Sequence, residues 1–103
     1  MTKDEIMNMP AGREMDAAIA RDIMKLEESN ESGWWWINGM MEECPDYSTD
    51  ISDAWTVLLK FKEFYIEYKD KEYFLMIGDD FDTSNENKSA PLAICRSALL
   101  ATL

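Results

Sequence analysis

Histidine is absent from the 103 residues, and bases are scarce: ten Lys and Arg stand against twenty-one Asp and Glu, a formal charge of −11. Without histidine the usual general base for a serine or cysteine nucleophile is missing, and so is the commonest metal ligand. The two cysteines, Cys44 and Cys95, form no CxxC pair, which excludes the usual zinc spacings while leaving a disulfide between them open. Four glycines, Gly12, Gly33, Gly39 and Gly78, are scattered and make no phosphate-cradling loop. No apolar run approaches the ~18 residues of a membrane span. The start, Met1 to Glu5, lacks the basic and apolar regions of a secretory leader, so a cytoplasmic protein with reduced thiols is expected. A negative field repels phosphate backbones and anionic membrane surfaces, which argues against direct binding of nucleic acid or membrane. It favours a basic protein partner, such as the groove of a nucleic-acid enzyme, although acidity also serves plain solubility.

What is present suffices for a core. Apolar residues make up 47% of the chain, with four each of Trp, Tyr and Phe, and the length suits a single domain over 1–103. Thr2 and Glu5 have capping-box spacing before a short helical turn that Pro10-Ala11-Gly12 interrupts. Met15, Ala18, Ile19, Ile23 and Leu26 recur at three- and four-residue steps and predict an amphipathic helix from Arg13. Glu27 to Gly33 has no apolar residue and reads as an exposed loop. Trp34 to Ile37 reads as a strand ending in an Asn38-Gly39 turn, and 40–49 as irregular. Ser48, Thr49 and Asp50 offer three N-cap residues for a second helix running to about Lys62, with Ile51, Ala54, Trp55, Leu58 and Leu59 on one face. Phe64 to Tyr68 and Tyr73 to Ile77 predict a hairpin, both of whose faces are expected to be covered. Asp79 to Ser89 is a polar loop, and Pro91 opens a final amphipathic helix carrying Leu92, Cys95, Leu99 and Leu103. The expected fold is α+β, a small antiparallel sheet layered with about three helices in an α/β/α sandwich.

Three phrases carry a resemblance: Met9-Pro10-Ala11-Gly12-Arg13-Glu14-Met15-Asp16, Tyr47-Ser48-Thr49-Asp50-Ile51-Ser52-Asp53-Ala54-Trp55, and Ala90-Pro91-Leu92-Ala93-Ile94-Cys95-Arg96-Ser97-Ala98-Leu99-Leu100. In this order they span nearly the whole chain, which resembles the phage ABA sandwich domain family. The resemblance implies a small helix-sheet-helix domain encoded by bacteriophages or prophages. It carries no catalytic residue set onto Arg13, Asp16, Asp50 or Arg96. The triple tryptophan and the acidic middle depart from the usual pattern.

Between Glu27 and Asp53 stand eight acids and no base: Glu27, Glu28, Glu31, Glu42, Glu43, Asp46, Asp50 and Asp53. Carboxylates so spaced can replace phosphates opposite Arg and Lys, with the alternative that Asp50 caps a helix and the others are simply solvated. Trp34, Trp35 and Trp36 alternate faces on a strand, so at least one serves the core and another is free to anchor a partner. Arg13 and Arg96 have the geometry to hold an anion, or pair with a nearby acid. Asp79, Asp80, Asp82 and Glu86 lack the spacing of a calcium loop. No catalytic residues, metal or cofactor are expected. The expectation is a phage accessory protein in the infected host's cytoplasm, inhibiting a defence protein (anti-CRISPR or other anti-defence type) through an acidic, DNA-mimicking face. Two alternatives are sequestration of a small nucleotide signal and a structural or assembly role. Composition does not fix the oligomeric state.

Overall fold

The first helix is built by the reciprocal cap that its sequence spells. The Glu5 N–H donates to Thr2 Oγ1 at 3.2 Å and the Thr2 N–H to Glu5 Oε1 at 3.1 Å, opening α1 at Lys3–Asn8. Pro10 disfavours a helical Met9, and α1 stops there. The computed structural model describes residues 1–103 and contains four helices and two three-stranded antiparallel sheets, an α+β architecture.

Helix α2, Arg13–Asp22, buries Met15, Ala18 and Ile19 as the periodicity requires. It ends before Leu26 because Lys25 turns the chain in the left-handed conformation (φ 57°) while the Leu26 N–H reaches back to the Ala20 carbonyl at 2.9 Å. In α3, Ile51–Leu58, the Asp50 carboxylate accepts from the Asp53 N–H at 3.0 Å. This helix ends four residues short of the expected Lys62, and its buried residues are Ala54, Val57 and Leu58. Ile51, Trp55 and Leu59 are exposed, so only Ala54 and Leu58 of the five residues on the expected apolar face meet the core.

Helix α4, Ala90–Leu100, is the hub. Ser89 caps it, Pro91 sits in its first turn, and it packs against α1, α2 and α3 as well as the second sheet. Contact on several sides explains why Leu92, Ala93, Ile94, Cys95, Ala98 and Leu99 are all buried.

The first sheet has the order β1 (Glu27–Glu28), β2 (Trp34–Ile37) and β3 (Met40–Glu43). Asn38 and Gly39, at φ 51° and 81°, make the tight turn between β2 and β3. Two expectations are corrected here. Glu27 and Glu28 form a strand rather than a loop, and Met40–Glu43 is regular, because the tight turn carries the chain straight back along β2.

The second sheet has the order β4 (Phe64–Lys69), β5 (Glu72–Ile77) and β6 (Asn85–Asn87), the last within the stretch expected to be a polar loop. Asn85 explains that strand: its Nδ2 donates to the Ala93 carbonyl at 2.9 Å and to Ser97 Oγ at 2.7 Å, and Ser97 Oγ donates to the Leu75 carbonyl at 3.2 Å. This buried network ties β5 and β6 to α4. Leu75 and Ile77 face the core, whereas the opposite face, with Tyr65, Phe74 and Met76, borders an open cleft of about 520 Å³. Coverage of both sheet faces, expected from the apolar sequence of the hairpin, is therefore not found.

Candidate partner-binding face

The register of the first sheet decides what each tryptophan does. Trp35 lies between Glu28 and Glu42, Trp36 between Glu27 and Met41, and Trp34 beside Glu43. Successive rows point to opposite faces. Trp35 is therefore in the core at 2% exposure, while Trp36 is 46% exposed and Trp34 half-buried. Glutamates from β1 and β3 flank the aromatic strand on both edges. Their backbones lie two strand spacings apart, roughly 10 Å.

The other acids of the stretch divide by role. Glu31 is exposed in the loop leading into β2, where its carbonyl accepts from the Trp34 N–H at 3.1 Å. Asp50 is a helix cap, and Asp53 Oδ2 accepts from the Asp46 N–H at 3.0 Å, so Asp53 serves the local fold. The Asp46 carboxylate accepts no hydrogen bond, and Glu27, Glu28, Glu31, Glu42, Glu43 and Asp46 are all exposed. None of the eight acids is in an ion pair; the one salt bridge in the molecule joins Arg21 Nε to Asp22 Oδ1 at 3.4 Å. The face is uncompensated.

Beside it lies a cleft of about 280 Å³ whose walls include Arg13, Asp16, Trp34, Glu43, Cys44 and Asp46. Asp16 is almost fully buried and accepts from the Ser48 N–H at 2.8 Å and from Ser48 Oγ at 2.7 Å, while Ser48 Oγ accepts from the Gly12 N–H at 2.9 Å. Burial raises the Asp16 carboxyl above the ordinary aspartate value, with Asp46 and Asp53 adding repulsion and the two Ser48 bonds opposing. The Asp16–Ser48 link fastens the first family-like phrase to the second. Sequence reasoning missed it because 32 residues separate the partners.

Cys44 and Cys95 are free thiols. Burial first, then Asp16, Asp46 and Asp53, push Cys44 up to about 11, and burial raises Cys95 as well, so both stay protonated at neutral pH.

The two arginines part company. Arg13 is exposed on the cleft and has no acid within 4.0 Å. Arg96 Nη2 donates to the Met9 carbonyl at 3.1 Å, and its buried Nε has no partner, so burial lowers its pKa. It tethers α4 to the Pro10 turn and does not line the cleft. No group of three or more Cys, Asp or Glu side chains converges as a metal site, and in the second acidic run Asp80 caps a 3-10 turn by accepting from the Asp82 N–H at 2.9 Å. No helix is long and apolar enough to cross a membrane.

A small helix-and-sheet sandwich with an acidic, aromatic surface is the class that these features define. Residues 17–99 match the phage ABA sandwich domain, and the chain belongs to that family. Its fold is similar to that of a phage protein from Bacillus cereus ATCC 14579 known from a 2.0 Å crystal structure, with a TM-score of 0.69 over 93% of this chain and 95% of that one, at 23% identity. No curated protein matches the chain.

Proposed function

We propose that this phage-family protein is not an enzyme and works by binding, presenting the acidic face of its first sheet to a basic groove on a nucleic-acid enzyme of the bacterial host. Its action there is inhibition of a defence protein, in the infected cell's cytoplasm, by displacing DNA from the groove. The observation that carries this reading is Glu27 beside Trp36 on one edge and Glu43 beside Trp34 on the other, both on the face opposite Trp35, with no basic residue paired to them. The two edge strands that carry these carboxylates have backbones roughly 10 Å apart, which spreads the negative charge over a width comparable to that of a nucleic-acid groove, about 6 to 12 Å. Trp36 adds a large exposed apolar surface of the kind that anchors interfaces. The free energy of such a complex comes from the anchor, and its rate and salt dependence from the charges.

The test is a combined E42K, E43K and D46K variant. These side chains are exposed, so the fold should persist while inhibition and binding are lost. Undiminished inhibition by the reversed chain rejects the DNA-mimicking mechanism.

A second reading, a small anionic nucleotide held in the neighbouring cleft, is favoured by Arg13 standing free beside Trp34 and disfavoured by Asp16, Glu43 and Asp46 on the same walls. Titrating nucleotides against tryptophan fluorescence separates the two: a saturable change, abolished by Arg13→Ala, supports the ligand.

A further inference from the structure

Strand β4 has β5 on one side and no strand on the other. The Gly78 N–H donates to the Glu63 carbonyl at 2.8 Å, which makes Glu63 and Gly78 a bonded pair. Bonded and non-bonded pairs alternate along an antiparallel ladder. The N–H and C=O groups of Phe64, Ile66 and Tyr68 therefore point away from β5, toward the open edge. Their side chains share the core-side face with Leu75 and Ile77, yet Ile66 is 39% and Tyr68 61% exposed. Apolar surface extends beyond the edge: Trp55 meets Phe64 edge-on with centroids 5.8 Å apart, and Ile51, Trp55 and Leu59 form an exposed stripe at four-residue steps on α3. An edge strand with free N–H and C=O groups beside apolar surface is a template for another strand.

We infer that the occupant of this edge is a second copy of the chain, with the two β4 strands pairing antiparallel about a two-fold axis at Ile66 to give one continuous six-stranded sheet. Charge and hydrogen bonding select both the occupant and the register. With the axis at Ile66, the outward-facing groups of Phe64 meet those of Tyr68 in the other copy, and Ile66 meets Ile66. All three residues exchange bonds, roughly six in total. Glu63 then stands opposite Lys69 of the second copy, twice by symmetry. Moving the axis to Tyr65 sets Glu63 against Glu67, and moving it to Glu67 sets that residue against itself, so both neighbouring registers are opposed by like charges. A self-complementary patch is what an isologous dimer requires. Trp55, which meets Phe64, and the half-covered side chains of β4 lie near the axis. This inference is independent of the binding role given to the first sheet, whose acids lie on other strands.

Sedimentation equilibrium of the full chain, from micromolar to sub-millimolar concentration, should give twice the 12.0 kDa chain mass at the upper end. Ile66→Lys, which places two ammonium groups at the axis, should return it to monomer. Lys69→Glu turns two attractive pairs into repulsive ones and should weaken the dimer by roughly tenfold, and adding Glu63→Lys to it should restore the dimer by swapping the charges. The restoration distinguishes loss of the interface from loss of fold. A monomer throughout the concentration range, or a dimer unaffected by Ile66→Lys, overturns the proposal.

Discussion

The two sheets share a design and differ at their edges. Each has three antiparallel strands with one face toward the core, but the first is fixed there chiefly by Trp35, whereas the second holds Leu75, Ile77 and the Asn85–Ser97 network against α4. On the first sheet both outer strands carry glutamate pairs, Glu27 with Glu28 and Glu42 with Glu43. On the second, β4 opens with Phe64-Tyr65-Ile66 and carries both charge signs, Glu67 and Lys69, in its second half. Edges of one charge sign repel a copy of themselves and attract a basic surface. An edge with both signs can match its own reverse. Under the two proposals, edge chemistry more than fold separates the surface offered to a basic partner from the one offered to a second copy.

The largest expected effect tests whether one side chain anchors the first sheet. Trp35→Ala should cost about 3–5 kcal/mol in denaturant unfolding, the usual range for emptying a buried tryptophan site. Trp36→Ala should leave stability within about 0.5 kcal/mol, as at exposed sites, while weakening partner binding. Amide exchange in the Trp35 variant should accelerate in β1–β3 ahead of β4–β6; equal acceleration in both sheets would mean that they unfold as one unit. Next in size, Ser97→Ala removes the acceptor for Asn85 and the donor to Leu75, and should cost roughly 1–3 kcal/mol. Its exchange effects should be confined to the second sheet and α4.

A smaller effect concerns pH. The folded pKa of Asp16 is raised, so the native state holds that proton more tightly than the unfolded chain does. Its contribution favours the fold most below the ordinary aspartate value and declines as pH rises through the raised one. Relative to Asp16→Asn, the native chain should lose stability over that interval. A parallel pair of pH curves would contradict the burial ascribed to this carboxyl. Smallest of all, a thiol reagent at neutral pH should label native Cys44 slowly and Cys95 only on unfolding, as their raised pKa values require.

The features legible in the sequence are those with a local cause. The Thr2–Glu5 box, the Asn38-Gly39 turn, the Asp50 cap, the β4–β5 hairpin and the alternating fates of Trp35 and Trp36 each follow from a few adjacent residues. What was hidden depends on partners far along the chain. Glu27–Glu28 and Asn85–Asn87 are too short and polar to signal a strand, and they form because β2 and β5 offer them a ladder. The face of α3 was only half legible, since five apolar residues fit one stripe and packing on α4 covers a subset of them. The acids of the candidate face were visible as composition. Their division into edge carboxylates and the backbone-bonded Asp50 and Asp53 was visible only in the fold.

The most direct measurement is capture from bacterial lysate on the immobilised wild-type chain and, in parallel, on the E42K, E43K and D46K variant, each eluted first with salt and separately with duplex DNA. The predicted result is a nucleic-acid enzyme held by the wild type, released by either eluent, and absent from the reversed chain. An enzyme held equally by both chains, or one that DNA does not displace, would contradict the claim that the acidic face stands in for nucleic acid.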